Sequence, residues 1–251
     1  MHISFVIFII LVVVVVAIAG FFLGRSVRKS AKRESSASRN NIPYDDCVAQ
    51  NAAKFNYGTF TDARDGETYR TIKIGNQVWM AENLRFNAEG SFAPDNDEAN
   101  TKKFGRLYTW ATALDIPTAF NEKSPAEDIE MYRQMKENDY RGLAPEGWHI
   151  PSNKEWEELL RNIDPKSNGS ELRSACLWHK AGEDSLGFFA LPAGYRFGNG
   201  SFRHFGARTR FWSKDEYGYA NAFRLSLTDE SVDIEGVYRS DAISIRCVKN
   251  A

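Results

Sequence analysis

Four aromatic side chains in the C-terminal quarter of the chain are suited to ligand binding by their type: Tyr195, Trp212, Tyr217 and Tyr219. Exposed aromatic rings combine a large apolar face with a polar group, which is why they are common at interfaces. The pattern predicts a site that stacks on a glycan or a protein. The alternative is that the tryptophans fill the hydrophobic core. That interpretation is favoured for Trp212 and for three further tryptophans, Trp79, Trp110 and Trp148.

Histidines are the next candidates, because they could act in acid–base catalysis. His149 lies between Trp148 and Ile150, and we expect a buried histidine bonded to backbone rather than a general base. His179 and His204 have no carboxylate or thiol partner nearby in sequence. The chain also has no Gly-rich phosphate loop, no GxSxG and no HExxH motif. The sequence therefore predicts a non-catalytic domain with no cofactor and no metal.

Three cysteines, Cys47, Cys176 and Cys247, limit the redox chemistry. An odd number argues against a complete disulfide framework, and no two are close enough to form a CxxC pair. At most one disulfide can form within the chain, and the sequence does not say which. Cys176, beside Ala175 and Leu177, is interpreted as a buried thiol.

The elements that must position these residues begin with a hairpin. Residues 68–74 and 77–80 are rich in β-branched and aromatic side chains, and Gly75-Asn76 is a turn dipeptide between them. A helix is predicted where Trp156, Leu159, Leu160 and Ile163 recur at helical spacing. Its start is marked by Ser152 and Glu155, which form a capping-box pattern.

The same spacing in Leu107, Trp110, Ala111 and Leu114 predicts an earlier helix. Between the two helices, residues 116–141 form a polar insertion. A short helix is predicted there after Ser124-Pro125, with Ile129, Tyr132 and Met135 on one face. After Gly187 the pattern returns to strands, which are predicted at residues 188–191, 194–197, 201–202, 210–213, 222–225 and 243–248. Strands, two helices and strands again indicate an α+β fold whose terminal strands could share one sheet.

The N-terminal residues 3–23 (ISFVIFIILVVVVVAIAGFFL) carry no charge and are long enough to cross a bilayer as a helix. The competing interpretation is a cleaved signal peptide, because Ala17-Ile18-Ala19 resembles a cleavage site. No Lys or Arg precedes the apolar run, and the run continues beyond that site. We therefore predict one transmembrane helix over residues 1–24, with residues 3–23 in the lipid.

A basic flank and a flexible linker are predicted over residues 25–57, and the folded domain over residues 58–251. Residues 25–39 contain six Lys or Arg and one Glu, and by the positive-inside rule they place the domain on the cytoplasmic side. Pro43 to Tyr57 is interpreted as a short helical or extended segment that leads into the domain. The formal net charge is −1, and with no large basic surface implied we expect no nucleic-acid partner.

Six segments of the domain carry distinctive motifs. They are residues 74–84 (IGNQVWMAENL), 104–110 (FGRLYTW), 143–152 (LAPEGWHIPS) with Glu155-Trp156, 187–196 (GFFALPAGYR), 211–213 (FWS) and 245–249 (IRCVK). In this order they resemble the Fibrobacter succinogenes major paralogous domain family, and the resemblance covers about residues 62–249. The resemblance implies a C-type-lectin-like fold with two main helices and antiparallel strands. It implies no defined reaction. Members are typically exported, so the resemblance opposes the cytoplasmic side that the charges favour.

The chain departs from the family pattern at three places. Some members have a cysteine that could pair with the last-strand cysteine, and here Ala144 takes its place, so Cys247 lacks that partner. The insertion at residues 116–141 is longer than usual. The FWS segment continues as residues 214–217 (KDEY), where STEY is common.

The lectin-like fold raises two alternatives to a non-catalytic, membrane-anchored binding or structural module. A calcium-dependent lectin needs six to eight oxygen ligands, yet the chain has no EPN, QPN or WND triplet. Its densest acidic patch, residues 95–98 (DNDE), is interpreted as a solvated loop. An oxidase-type enzyme of related fold needs a reactive cysteine pair, and no pair has suitable spacing.

Overall fold

The computed structural model describes residues 42–137 and 140–250. The predicted transmembrane helix and the basic flank up to residue 41 lie outside the described residues. In the part of the chain that is described, no helix combines the length and apolar character needed to cross a membrane. Residues from Ile42 onward form one compact unit, so this unit begins before the predicted domain boundary at residue 58.

The described chain is a mixed α+β structure with antiparallel sheets. Its helices are α1 (Tyr44–Lys54), α2 (Thr101–Phe104), α3 (Trp110–Ala113), α4 (Ile129–Lys136) and α5 (Asn153–Leu160). Its strands are β1 (Gly58–Thr61), β2 (Thr68–Ile74), β3 (Gln77–Met80), β4 (Leu107–Tyr108), β5 (Trp148–His149), β6 (Tyr195–Arg196), β7 (Phe202–Arg203), β8 (Arg208–Glu216), β9 (Asn221–Thr228), β10 (Val232–Tyr238), β11 (Ile243–Ser244) and β12 (Val248–Lys249). Short 3-10 turns occupy Pro94–Asn96, Glu98–Asn100, Thr118–Asn121, Pro125–Glu127 and Pro165–Ser167.

The first sheet has the order β1-β2-β3-β12-β5 and confirms that the two ends of the domain share a sheet. Val248 of the last strand pairs with Trp79 on one side and with His149 on the other. The predicted hairpin is confirmed, since Ile74 pairs with Gln77 across the Gly75-Asn76 turn. Gly75 has φ +58°, a left-handed conformation that glycine adopts without steric cost.

The second sheet has the order β10-β9-β8-β11-β4, and its three long strands form a meander. β10 lies at the edge and was not predicted, although Val232, Asp233, Ile234 and Glu235 alternate with the period of a strand. The predicted strand at residues 188–191 is wrong. Phe189 has φ +53°, and its N–H donates to the Asp184 carboxylate, which turns the chain out of an extended path.

The predicted capping box starts α5 as expected. The Ser152 hydroxyl accepts the Glu155 N–H, and the Glu155 carboxylate accepts the Ser152 N–H at 2.7 Å. The earlier predicted helix is shorter than its spacing suggested. Leu107 lies in β4, the side chain of Thr109 caps α3, and Asp115 at φ +55° follows the helix in a left-handed conformation.

Aromatic side chains fill the core between the sheets. Trp79 stacks on Trp156 with ring centroids 4.7 Å apart, and Phe188 meets both rings edge-on. Trp110 and Trp148 are also buried, which confirms the core interpretation of the motif tryptophans. α1 joins this body through a disulfide between Cys47 and Cys176, so the interpretation of Cys176 as a thiol is wrong. Cys247 is a buried free cysteine.

Candidate functional site

The four predicted ligand residues separate into two buried and two exposed side chains. Trp212 is fully buried and its Nε1 donates to the Tyr108 carbonyl at 2.7 Å, so it is a core residue with no face for a ligand. Tyr195 is 3 % exposed and stacks between neighbouring side chains. Its ring face is therefore also closed to a ligand.

Tyr217 and Tyr219 are exposed by 50 % and 66 %, and Tyr238, which was not predicted, is exposed by 64 %. We call these three residues the tyrosine surface. Tyr217 and Tyr219 lie in the turn between β8 and β9, and Tyr238 ends β10. The only other large hydrophobic side chain found exposed among the described residues is Ile129.

Strand register places Tyr217 and Tyr238 on one face of the second sheet. The Tyr217 ring lies against Gly236, where an added Cβ would come within 2.0 Å of it, and meets Phe223 edge-on at 4.8 Å. Gly236 and Tyr238 are two residues apart on β10, so they face the same side. A side chain at position 236 would displace the Tyr217 ring, which explains a glycine inside this strand.

Arg239 holds the turn that carries the tyrosine surface. This fully buried side chain donates five hydrogen bonds, to the carbonyls of Phe120, Lys123, Gly218 and Asn221 and to the Glu216 carboxylate. Its guanidinium also lies 4.5 Å from the centroid of the Trp110 ring. One side chain thereby fixes the polar insertion, the β8–β9 turn and the end of β10 together.

The insertion supplies the border of the tyrosine surface. The Tyr219 hydroxyl donates to Glu127 at 3.4 Å, and the exposed Ile129 begins α4 two residues later. Of the predicted apolar face of this helix, Met135 is buried, Tyr132 is half-buried and Ile129 is exposed by 72 %. Ile129 therefore does not pack on the domain as predicted.

The outer edge of β10 adjoins the tyrosine surface and is unpaired among the described residues. Thr228 N–H donates to the Ser231 carbonyl, and in the same ladder Arg239 N–H donates to the Ala220 carbonyl. Alternation in an antiparallel ladder then points the backbone groups of Val232, Ile234 and Gly236 away from β9. Three residues thus offer free N–H and C=O groups beside exposed aromatic rings.

A second concave region surrounds His149. This cleft of about 740 Å³ is lined by charges of both signs, among them Lys154, Lys249 and Asp215. His149 Nδ1 is 2.7 Å from the Asn250 Oδ1, and its Nε2 is 2.7 Å from the Glu155 Oε1. The expectation of a histidine bonded to backbone is therefore wrong, because both ring nitrogens contact side chains.

Glu155 is held as a carboxylate in this arrangement. Burial works against its charge, but hydrogen bonds from His149 and Ser152 outweigh burial and lower the pKa of Glu155. Neither nitrogen of His149 is free to take a proton from a substrate while these contacts persist. The His149–Glu155 pair instead joins β5 to the start of α5, and the contact with Asn250 joins β5 to the residue after β12.

The acidic residues of the predicted solvated loop have structural partners. Asp97 accepts the Ala99 N–H at 3.0 Å, and Glu98 pairs with Arg106 at 2.8 Å. Within residues 42–137 and 140–250, no group of three or more His, Cys, Asp or Glu side chains is placed to hold a metal ion.

Family comparison decides the identity of the domain. The model of the Fibrobacter succinogenes major domain matches residues 72–249. The chain belongs to this family. No curated protein and no solved structure matches the chain.

In this Fibrobacter succinogenes major domain, several of the motif residues build the interior. Trp79, Trp110, Trp148 and Trp156 are buried, and Arg246 of the last segment is 1 % exposed. Tyr219 and Tyr238 lie outside those segments. The recognised motifs therefore account for the fold, and they leave the tyrosine surface to be explained by other means.

Proposed function

We propose that the chain is a membrane-anchored, non-catalytic recognition module that binds a protein at the tyrosine surface and the outer edge of β10. In this proposal residues 3–23 anchor the chain in the bilayer, and the domain has a C-type-lectin-like fold. Support for that fold comes from the α+β architecture, the shared terminal sheet and the long segment between α5 and β8 with few regular elements.

The observation that carries the proposal is the coincidence of exposed tyrosines with an unpaired strand edge. Long exposed edges favour pairing with another chain, and natural proteins usually cover or charge them. Extended segments bind such edges by adding a strand, with side-chain contacts that give specificity. Tyrosine is also enriched in the residues that dominate binding energy at protein interfaces. The expected partner is an extended segment with apolar side chains at alternate positions.

A glycan is the second candidate ligand, because the rings of Tyr219 and Tyr238 could stack on sugars without any strand addition. Ile129 favours the protein, since it is an exposed aliphatic side chain two residues from Glu127, which the Tyr219 hydroxyl contacts, and such a side chain suits an apolar partner surface. The two ligands differ in what they do to β10. Strand addition engages the outward backbone groups of Ile234 and Gly236, whereas stacking on the rings leaves them free.

Cross-linking in the native cell tests the proposal on the full chain. A photoreactive phenylalanine analogue at position 238 should cross-link to a protein, and the same analogue at Tyr132, a tyrosine of α4 outside the tyrosine surface, should give no such product. Hydrogen exchange with the identified partner should then slow at the amides of Ile234 and Gly236. Tyr238→Ala should weaken binding at least tenfold, and Tyr132→Ala should leave it unchanged.

Two results would overturn protein recognition at this edge. One is an absence of cross-linked protein at positions 219 and 238 in cells that express the chain. The other is glycan binding that Tyr238→Ala abolishes while exchange in β10 stays unchanged, which would establish the second candidate.

The domain is further proposed to lie on an oxidising side of the membrane. The disulfide between Cys47 and Cys176 supports this side, because disulfides persist outside the cytoplasm and are rare within it. It weighs against the side that the basic residues 25–39 favour. In unreduced cells lysed in denaturant, a maleimide reagent should modify one cysteine per chain, Cys247. Modification of all three would place the domain in the cytoplasm.

A further inference from the structure

Arg210 is a buried arginine whose ion pair within the described residues is a long one, to Asp241. It lies in β8, is 8 % exposed, and no hydrogen bond from its guanidinium is found among the described residues. The nearest carboxylate oxygen belongs to Asp241 and lies 3.9 Å from Nη1. The other oxygen of Asp241 accepts the Gly198 N–H at 3.0 Å. Of its nitrogens, Nε is buried and has no hydrogen-bond acceptor among the described residues.

The guanidinium is nevertheless fixed in place. It lies over the Tyr195 ring at 3.8 Å from the centroid, and His204 stacks near that ring with centroids 5.4 Å apart. Phe197 meets the Tyr195 ring edge-on at 5.1 Å. An arginine stacked on an aromatic face loses little further entropy when it binds a planar or tetrahedral anion. The side chain is 10 % exposed and so keeps a limited contact with solvent.

The surroundings are also positively charged. Arg224 is buried, pairs with Asp233 and Glu235, and keeps its Nε without a hydrogen-bond partner. Burial and then the Arg224 charge lower the pKa of Arg210 to about 10. Burial, followed by Arg208, Arg210 and Arg203, likewise lowers the pKa of His204. Arg224 is balanced by its two carboxylates, whereas the nearest carboxylate to Arg210 lies 3.9 Å away.

We propose that Arg210, stacked on Tyr195, binds an oxyanion group of a ligand, either a phosphate or a carboxylate. The anion would accept two parallel hydrogen bonds from the guanidinium, the geometry in which arginine binds such groups most strongly. It would also balance a buried charge that otherwise lowers stability. This oxyanion site is separate from the tyrosine surface, because Arg210 lies near the start of β8 and Tyr217 follows its end.

Calorimetric titration of the full chain in lipid nanodiscs tests the oxyanion site, at constant ionic strength set by sodium chloride. Inorganic phosphate and glucuronate are the two probes, and they distinguish a phosphate-bearing ligand from an acidic sugar. We expect saturable binding of at least one probe at one site per chain. Arg210→Met should weaken it at least tenfold, and Arg210→Lys should weaken it less. Arg161→Met, which changes an exposed arginine, should leave it unchanged.

A resonance of the unaltered protein keeps the proposal testable if Arg210→Met does not fold. The side-chain Nε–H signal of Arg210 should shift on addition of phosphate or glucuronate, and it should not shift with an equal addition of chloride. No saturable binding of either probe at millimolar concentration would overturn the proposal. Binding that Arg210→Met leaves intact would also overturn it.

Discussion

Two buried arginines, Arg246 and Arg210, differ in what surrounds them. Arg246 is 1 % exposed and donates four hydrogen bonds, two to Asn83 and one each to the carbonyls of Met80 and Phe188. Arg210 is almost as buried and donates none among the described residues. A buried charge costs several kcal/mol unless its environment compensates it. Burial lowers the pKa of both, to about 9 for Arg246 and about 10 for Arg210, so the two differ in hydrogen bonding: the fold supplies acceptors to Arg246 and supplies none to Arg210 among the described residues.

Arg239 resembles Arg246 in this comparison. It is fully buried, donates five hydrogen bonds and joins segments that are distant in sequence. Its partners are mainly backbone carbonyls, so it holds the backbone of these segments in place. Satisfied arginines of this kind stabilise a domain that has few long helices. An unsatisfied one lowers stability, and its retention is typical of functional sites.

Arg246→Leu should produce the largest loss of stability. It removes the charge, leaves Asn83 and two carbonyls without donors in the interior, and opens a cavity between Phe188 and Phe211. Breaking such a buried network costs about 3–5 kcal/mol. All six tryptophans lie in the domain, so the fluorescence of the full chain in detergent micelles reports its unfolding by urea.

Arg161→Leu is the matched control, because Arg161 is exposed, and its effect should stay within about 0.5 kcal/mol. A loss below about 1 kcal/mol for Arg246→Leu would show that the network around Asn83 does not hold the fold. In that case the contrast with Arg210 would lose its basis.

Asp184 should make the stability of the domain depend on pH, with an effect between those of the two arginine substitutions. Burial raises the pKa of this carboxyl to about 7, although Asn51 and the Phe189 N–H both donate to it. Because the folded state holds the proton more tightly than the unfolded chain, stability is greatest below about pH 4 for this group. It falls as the pH rises to about 7 and is then constant. The difference between a pKa of about 7 in the folded state and about 3.9 in the unfolded chain corresponds to a loss of at most about 4 kcal/mol over this window.

Urea unfolding at several pH values measures this slope. Asp184→Asn should flatten it, even if the amide lowers stability by facing the Asn51 amide donor. Asp46→Asn, an exposed change on α1, should keep the slope of the original chain. Stability that rises between pH 5 and pH 7 in a manner that depends on Asp184 would reverse the sign and contradict the prediction.

Features that form between residues close together in sequence could be predicted from local sequence signals. The Gly75-Asn76 turn and the Ser152–Glu155 capping box each act over a few residues, and both formed as expected. The helical spacing of Leu107 and Trp110 predicted a helix that begins too early, because Leu107 lies in β4, which pairs with β11. A periodic pattern shows that side chains are buried, but it does not show which element buries them.

The sites depend on contacts that no local pattern contains. Arg246 meets Asn83 at a separation of 163 residues, and Cys47 meets Cys176 at 129. Tyr195 was predicted from its aromatic character to contact a ligand, yet its ring supports Arg210 instead. An arginine in a strand gives no sign of whether an acceptor will face it. Only the folded arrangement separates Arg246 from Arg210.

Arg210→Met should give the smallest change in stability, and of opposite sign to Arg246→Leu. Methionine keeps an apolar contact with Tyr195 and removes a buried charge whose nearest carboxylate, on Asp241, lies 3.9 Å away. The contact with Asp241 is long and Asp241 keeps its hydrogen bond from the Gly198 N–H, so removal of the buried Arg210 charge should be neutral or stabilising, by about 0–1 kcal/mol in anion-free buffer. Urea unfolding measures it, and phosphate should stabilise only the original chain, because a ligand raises stability when it binds the folded state alone. A loss of more than about 1 kcal/mol would mean that Arg210 already serves the fold as Arg246 does. Arg210 and Arg246 would then not differ in whether the fold stabilises their side chains.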